Sequence, residues 1–197
     1  MSRKISVTDK TLLTTKYMKH VLRRVIFNNR AKSFEMNSDV IILPPGGLIL
    51  SYFKDSEGQW KIVLVGQYRP AVGKKILEAP GGRLDSESPK IALARELMEE
   101  ADIKVKPQSI RIVVNEYTHP SILNACFIGG IVRIGQKAVK NKIKAGNAFE
   151  NERTQVKVFN LVEIIKKREA NLITLDLMTS RLIDEVAKTV GLLIRQY

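Results

Sequence analysis

Between residues 85 and 102 the chain concentrates six of its twenty acidic side chains. Ser88-Pro89 opens this segment as a helix, since serine suits the N-cap and proline the first helical position. A helix continuing through Ile91, Ala94, Leu97, Met98 and Ala101 sets Glu96, Glu99 and Glu100 three and four residues apart, on one face. Like charges at that spacing repel, so something positive should offset them. Arg95, four residues before Glu99, is expected to pair with it, which leaves Glu96 and Glu100 uncovered. Two readings follow. One is a solvated acidic face, which three glutamates alone favour. The other is a hard divalent cation such as Mg²⁺, which takes oxygen ligands and joins carboxylates to substrate phosphates. Zinc is disfavoured, because neither His20 nor His119 has a ligand partner at motif spacing.

Around this helix the chain alternates strand-like and helical runs. Residues 21–37 read as a hairpin, with Val21, Arg23, Val25 and Phe27 alternating before an Asn28-Asn29-Arg30 turn. An amphipathic helix over 12–26 competes, because Leu13, Tyr17, Val21 and Val25 also fall at helical spacing. Strands are expected at 39–43, 47–53 and 60–67, with a turn at Asp55-Ser56-Glu57-Gly58. Further strands are expected at 109–117, at 125–134 (bounded by Gly129-Gly130) and at 156–159. Helices at 161–169 and 175–195 close the chain. The pattern predicts an α/β sandwich with mixed sheets, and 197 residues suit one well-cored domain.

The charge of the chain, +13 at neutral pH, favours anionic partners and says nothing of fold. Residues 1–34 hold nine basic side chains and one acid, and Lys137, Lys140, Lys142 and Lys144 form a second cluster. Solvated basic faces are preferred to nucleic-acid binding, with an organellar transit peptide third. No run approaches the roughly 20 apolar residues that span a bilayer, and the start lacks a secretory core. The single cysteine, Cys126, excludes an internal disulfide and is expected to be a small buried hydrophobe in a strand. A cytoplasmic location is the expectation.

From Gly81 the chain supplies Gly81, Glu87, Arg95, Glu96, Leu97, Glu99, Glu100 and Ile103 at the spacing Gly, five residues, Glu, seven residues, Arg-Glu-apolar-x-Glu-Glu-x-Gly-apolar. This resembles the Nudix box. Asp102 replaces the last glycine, which ends the helix with positive φ, a conformation Asp tolerates better than most residues. The match turns the preference toward the metal site. Gln67-Tyr68-Arg69-Pro70 with Glu78-Ala79-Pro80-Gly81-Gly82 resembles the segment before the box in ADP-ribose and nucleotide-sugar pyrophosphatases. Phe149-Glu150-Asn151-Glu152, and Leu175-Asp176 with Thr179, are similar to later segments of the same branch. The alignment leaves either Gly81 or Gly82 as the box glycine.

The resemblance implies a Nudix-type α/β/α sandwich preceded by N-terminal antiparallel strands, and Mg²⁺-dependent (or Mn²⁺-dependent) hydrolysis of a nucleoside diphosphate-linked small molecule. It implies metal ligands Glu96, Glu99, Glu100 and Glu152, with a backbone carbonyl from Gly81 or Pro80. Glu150 becomes the general base, with Glu99 and Arg95 also catalytic. Gln67, Arg69, Glu78 and His119 are candidate substrate contacts, with a surface arginine and a structural loop histidine as alternatives for Arg69 and His119. Glu87 and Gly82 are expected to support the box. The branch commonly forms homodimers through N-terminal strands, so residues 1–45 are expected to be a dimerisation arm and 46–197 the catalytic domain. Thr118 to Asn124 depart from the branch's usual loop, leaving the distal sugar open. Dinucleotides or 5′-capped RNA are alternative substrates, and a non-catalytic basic RNA-binding module is a third reading.

Overall fold

A computed structural model describes residues 4–28, 33–139 and 155–192. In chain order the strands are β1 (Lys4–Thr14), β2 (Lys19–Asn28), β3 (Ser33–Ile42), β4 (Gly46–Lys54), β5 (Trp60–Arg69), β6 (Lys74–Glu78) and β7 (Gly81–Arg83). Helix α1 (Pro89–Ala101) follows, then β8 (Arg111–Tyr117), β9 (Leu123–Asn124), β10 (Cys126–Arg133) and β11 (Gln155–Asn160). Helices α2 (Leu161–Glu169) and α3 (Leu177–Thr189) come last. These elements fall into two compact units, Met1–Pro45 with Glu116–Phe127, and Gly46–Asn115 with Ile128–Tyr197.

In the first unit the sheet runs β1-β2-β3-β9. The expected hairpin is β2 and β3, which pair antiparallel with Val25 opposite Met36 and Phe27 opposite Phe34. Of its expected Asn28-Asn29-Arg30 turn, residues 29 and 30 lie outside the described residues. The competing helix over 12–26 is excluded: β1 pairs antiparallel with β2, and the chain reverses at Thr15. Its Oγ1 accepts from the N–H groups of Tyr17 and Met18, both at 3.1 Å, a serine/threonine turn that fixes the reversal locally. β1 has no strong sequence signal, because beyond Ile5 and Val7 its positions are mostly polar. β9 joins β3 in parallel, which makes this sheet mixed.

In the second unit the sheet runs β11-β5-β4-β10-β8, with β6 on β5 and β7 on β4. Successive strand residues point to opposite faces, so Ile49, Val63 and Val65 join Leu93, Leu97 and Ala101 of α1 in one core cluster. Leu50, Ile62 and Leu64, equally buried, point the other way, toward the side of α2 and α3. The sequence places Gly129-Gly130 at a strand boundary, whereas they lie inside β10. A Cβ on Gly129 would come within 2.8 Å of Leu182 in α3, and one on Gly130 within 2.8 Å of Leu93 in α1. Two consecutive glycines therefore let helices close on both faces of one strand. The expected α/β/α layering is present.

Three local expectations need correction. Ser88 occupies the N-cap of α1 in extended geometry, but its side chain makes no capping bond. Pro89 and burial of Leu93 and Leu97, worth about 1.5–3 kcal/mol per side chain, hold the start instead. Ile91 and Met98 are 50% and 43% exposed, because the inward stripe is centred on Leu93 and Leu97 and carries Glu96 with it. Cys126 is half-buried rather than fully buried. At the other end Asp102 takes φ 53° and ψ 36°, with its N–H bonding Leu97 and Met98 carbonyls, as the expected left-handed cap requires. No helix among the described residues is long and apolar enough to cross a membrane.

Candidate active site

The site assembles in the second unit where the ends of β5 and β6, the short strand β7 and the inner edge of α1 meet. β7 lies antiparallel to β4, with Gly81 opposite Leu48 and Gly82 opposite Gly47. Gly81 is needed for backbone approach, whereas Gly82 leaves space for a side chain. A Cβ on Gly81 would sit 2.3 Å from the Gly47 carbonyl oxygen, and one on Gly82 would fall 2.5–2.7 Å from the carboxylate of Glu96. Gly82 is thus the floor on which the Glu96 carboxylate rests.

Glu96 and Glu100 face inward, whereas Glu99 faces solvent. Glu100 Oε2 accepts from the Gly81 N–H at 2.9 Å, and its Oε1 accepts from Gln67 Nε2 at 2.8 Å. Burial, only partly countered by the Gly81 N–H and reinforced by the charge of Glu96, pushes the Glu100 carboxyl up to about 7. A cation beside it would offset that cost.

Arg95 departs from the expected pairing. It reaches Glu99 Oε2 at 3.1 Å, as anticipated, but also Glu96 Oε1 at 2.8 Å and Glu87 Oε2 at 3.4 Å. Its Nη2 donates to the Arg83 carbonyl at 3.2 Å. Glu96 is therefore covered, and the Glu100 bonds to Gly81 and Gln67 show that it too has partners. The i,i+1 pair was invisible to a spacing argument, because adjacent residues do not normally face each other on a helix.

On the sheet side, Arg69 Nη2 lies 2.7 Å from Glu78 Oε2, and its Nε donates to both Glu78 oxygens at 2.9 and 3.1 Å. This fork geometry is the strong form of a charge-assisted bond. Glu78 is buried, while the Arg69 side chain is 40% exposed, so one end of the pair is anchored and the other faces outward. The adjoining Ala79 N–H donates to Thr179 Oγ1 at 2.8 Å. Asp176 caps α3 by accepting from the Thr179 N–H at 2.9 Å. The last helix thereby fixes the chain entering β7, a role that spacing could not reveal.

Gln67, Arg69, Glu78, Gly81, Gly82, Glu87, Arg95, Glu96, Glu99 and Glu100 thus all belong to this second unit. His119 belongs to the first unit, where its carbonyl accepts from Ile122 and Leu123 at 3.1 and 2.7 Å and closes a turn. Glu150 and Glu152 lie outside the described residues, as do Lys140, Lys142 and Lys144.

The residues fit a hard divalent ion by donor chemistry. Every candidate ligand is an oxygen, Gly82 leaves room for the Glu96 carboxylate, and Gln67 Oε1 is a buried acceptor with no hydrogen-bond partner. Among the described residues no three His, Cys, Asp or Glu side chains converge into a ready cluster, and Arg95 engages Glu96 and Glu99. An incoming ion must compete with that guanidinium.

A search of curated proteins finds no match for the chain. The NUDIX domain model matches residues 48–172, which include the whole of β5 to β10 and α1. With that domain spanning well over half of its length, the chain belongs to the Nudix family, whose members hydrolyse nucleoside diphosphate derivatives and generally use divalent metal ions.

Proposed function

We propose that this protein is a Mg²⁺-dependent pyrophosphohydrolase of ADP-ribose or a nucleoside diphosphate sugar, releasing a nucleoside monophosphate and a sugar phosphate. The observation that carries the reading is the outward-facing Arg69, clamped by buried Glu78 on strands of the sheet that also holds β7. A guanidinium fixed in this way holds its positive charge at the edge of the site in one orientation, which suits an anionic diphosphate.

Glu96, Glu99 and Glu100, with Glu152 and the Gly81 carbonyl, are the residues that would hold the ion. The Gly81 N–H turns to Glu100 while the Pro80 carbonyl is occupied by the Ile49 N–H at 2.8 Å. In a strand the N–H and C=O of one residue point to the same side, which supports Gly81 over Pro80. When bound, the ion neutralises diphosphate oxygens and lowers the pKa of water. Arg95 orients Glu96 and Glu99, Glu87 steadies Arg95, and Glu150 takes the proton from the attacking water. Glu78 anchors Arg69 beneath the substrate, and Gln67 lies buried at the floor of the same unit's site.

We further propose a homodimer through the first unit. Its β1-β2-β3 sheet aligns Ile5, Phe27 and Phe34 in one row and Val7, Val25 and Met36 in the next. Ile5, Val7, Phe34 and Met36 are 44–62% exposed, an apolar face of the kind that marks association sites. The following row carries Asp9 paired with Arg23 at 2.8 Å, so two copies can stack this face without opposing unpaired like charges. That favours a second copy over an acidic partner.

The test is a panel of ADP-ribose, nucleotide sugars, dinucleotides and capped RNA, read by product formation with Mg²⁺ and Mn²⁺. Turnover on the first two classes is expected. Cleavage confined to capped RNA would redirect the substrate assignment, and salt-sensitive RNA binding without any cleavage would overturn the enzymatic reading. Light scattering of the full chain should give twice the monomer mass, falling toward one with Phe34→Glu.

A further inference from the structure

Three buried side-chain atoms among the described residues have no hydrogen-bond partner: Ser51 Oγ, Asp176 Oδ2 and Gln67 Oε1. Asp176 is a helix cap that already uses its other oxygen, and Ser51 is a fully buried hydroxyl inside β4. Gln67 differs, because it also touches a candidate metal ligand. It is 4% exposed, and its Nε2 donates to Glu100 Oε1 at 2.8 Å. Half of this amide is engaged and half is orphaned. A buried acceptor left unmet costs free energy, and a methionine of similar length would have filled the space without that cost.

The chemistry of a hydrated cation accounts for the arrangement. Mg²⁺ in such sites keeps several waters. A water bound to the ion directs its oxygen lone pair at the metal, so it can donate hydrogen bonds outward but accepts poorly. What such a shell needs from the protein is acceptors. A carboxylate at position 67 would supply one, but would set a second negative charge 2.8 Å from the half-buried Glu100 carboxylate. An amide supplies a neutral acceptor from one end and a donor for Glu100 from the other.

We propose that Gln67 is a positioning residue with two jobs: its NH₂ group fixes the Glu100 carboxylate, and its Oε1 accepts a hydrogen bond from water carried by the divalent ion. This rests on the reading of Glu96 and Glu100 as the residues that hold metal. It assigns to Gln67 a part in ion capture rather than in direct contact with substrate.

The experiment measures Mn²⁺ binding by electron paramagnetic resonance, alongside kcat and KM with Mg²⁺, for the full chain and for Gln67→Met. The expected result is Mn²⁺ affinity weakened about tenfold and kcat lowered about tenfold, with KM within about twofold of wild type. In a Glu100→Gln background, Gln67→Met should add little to either loss, because the two residues act as one unit. Unchanged Mn²⁺ affinity and kcat, or a fall in Tm alone, overturns the proposal. Should Gln67→Met not fold, the Gln67 side-chain NH₂ signals of the wild-type protein serve instead. They should shift on Mg²⁺ addition, and unmoved signals overturn the proposal equally. A wild-type protein that neither binds Mn²⁺ nor cleaves any pyrophosphate sinks the enzymatic reading itself, whereas normal binding and turnover in Gln67→Met sink only the role of Gln67.

Discussion

Glu100→Gln separates what the site does for function from what it costs the fold. Burial raises the Glu100 carboxyl from its ordinary 4.5 to about 7. Between those values the folded protein holds a proton that the unfolded chain has released. Stability is therefore fullest below about pH 4.5 and declines as pH rises through about 7. The span of about 2.5 pH units corresponds to about 3.5 kcal/mol at ~1.4 kcal/mol per unit. Glu100 keeps some contact with solvent, and screening brings the expected loss to about 1–2 kcal/mol. Glutamine at this position removes the charge and can still be satisfied, since the Gln67 amide can turn to present its oxygen. In urea unfolding with a chelator present, the wild-type protein should lose about 1–2 kcal/mol more than Glu100→Gln between pH 5 and pH 8. At pH 8 the variant should be the more stable of the two while losing orders of magnitude in turnover. Saturating Mg²⁺ should flatten the wild-type slope. Parallel pH profiles for the two proteins, or a variant weaker at both pH values, would refute the reasoning.

Gly81→Ala and Gly82→Ala should part company. The first drives a methyl into the Gly47 backbone and is expected to cost more than about 2 kcal/mol in thermal unfolding, whereas the second displaces only the Glu96 carboxylate and should lower Mn²⁺ affinity and turnover with a smaller loss of Tm. Thr179→Val leaves the buried Ala79 N–H without its acceptor and should destabilise by about 1–3 kcal/mol in urea. Asp102→Gly relieves a side chain at φ 53° but also loses an interaction made by that residue, and should leave kcat unchanged with stability within about 1 kcal/mol of wild type in urea.

The sequence made the helix and its acidic face readable because a three-and-four-residue spacing is a local property, and α2 and β11 were equally plain from periodicity. β1 was not read from its own residues, since apart from Ile5, Val7, Leu12 and Leu13 they are polar and its register is set by β2, a partner that propensity cannot see. The interior position of Gly129-Gly130 was missed for a related reason: glycine reads as a boundary until one knows that Leu93 and Leu182 press on it from opposite sides. In the site, Glu96, Glu99, Glu100 and Arg95 were legible from spacing, and Gln67, Arg69 and Glu78 from the resemblance. Which carboxylate was buried, and which oxygen Arg95 would choose, depended on how β7 packs beside α1. That packing is a tertiary matter, and the chain entering β7 is tied by Thr179 a hundred residues after Ala79.

The guanidinium of Arg95, lying between Glu87, Glu96 and Glu99, has a consequence for how this protein matures. Small zinc domains stay unfolded until their ion arrives, because nothing else offsets their ligands. Here a resident side chain already offsets most of the acidic edge, so a newly made chain can complete its core without a divalent ion. On the proposed reading an ion would enter a finished scaffold by exchange, and its supply would govern activity rather than survival of the molecule.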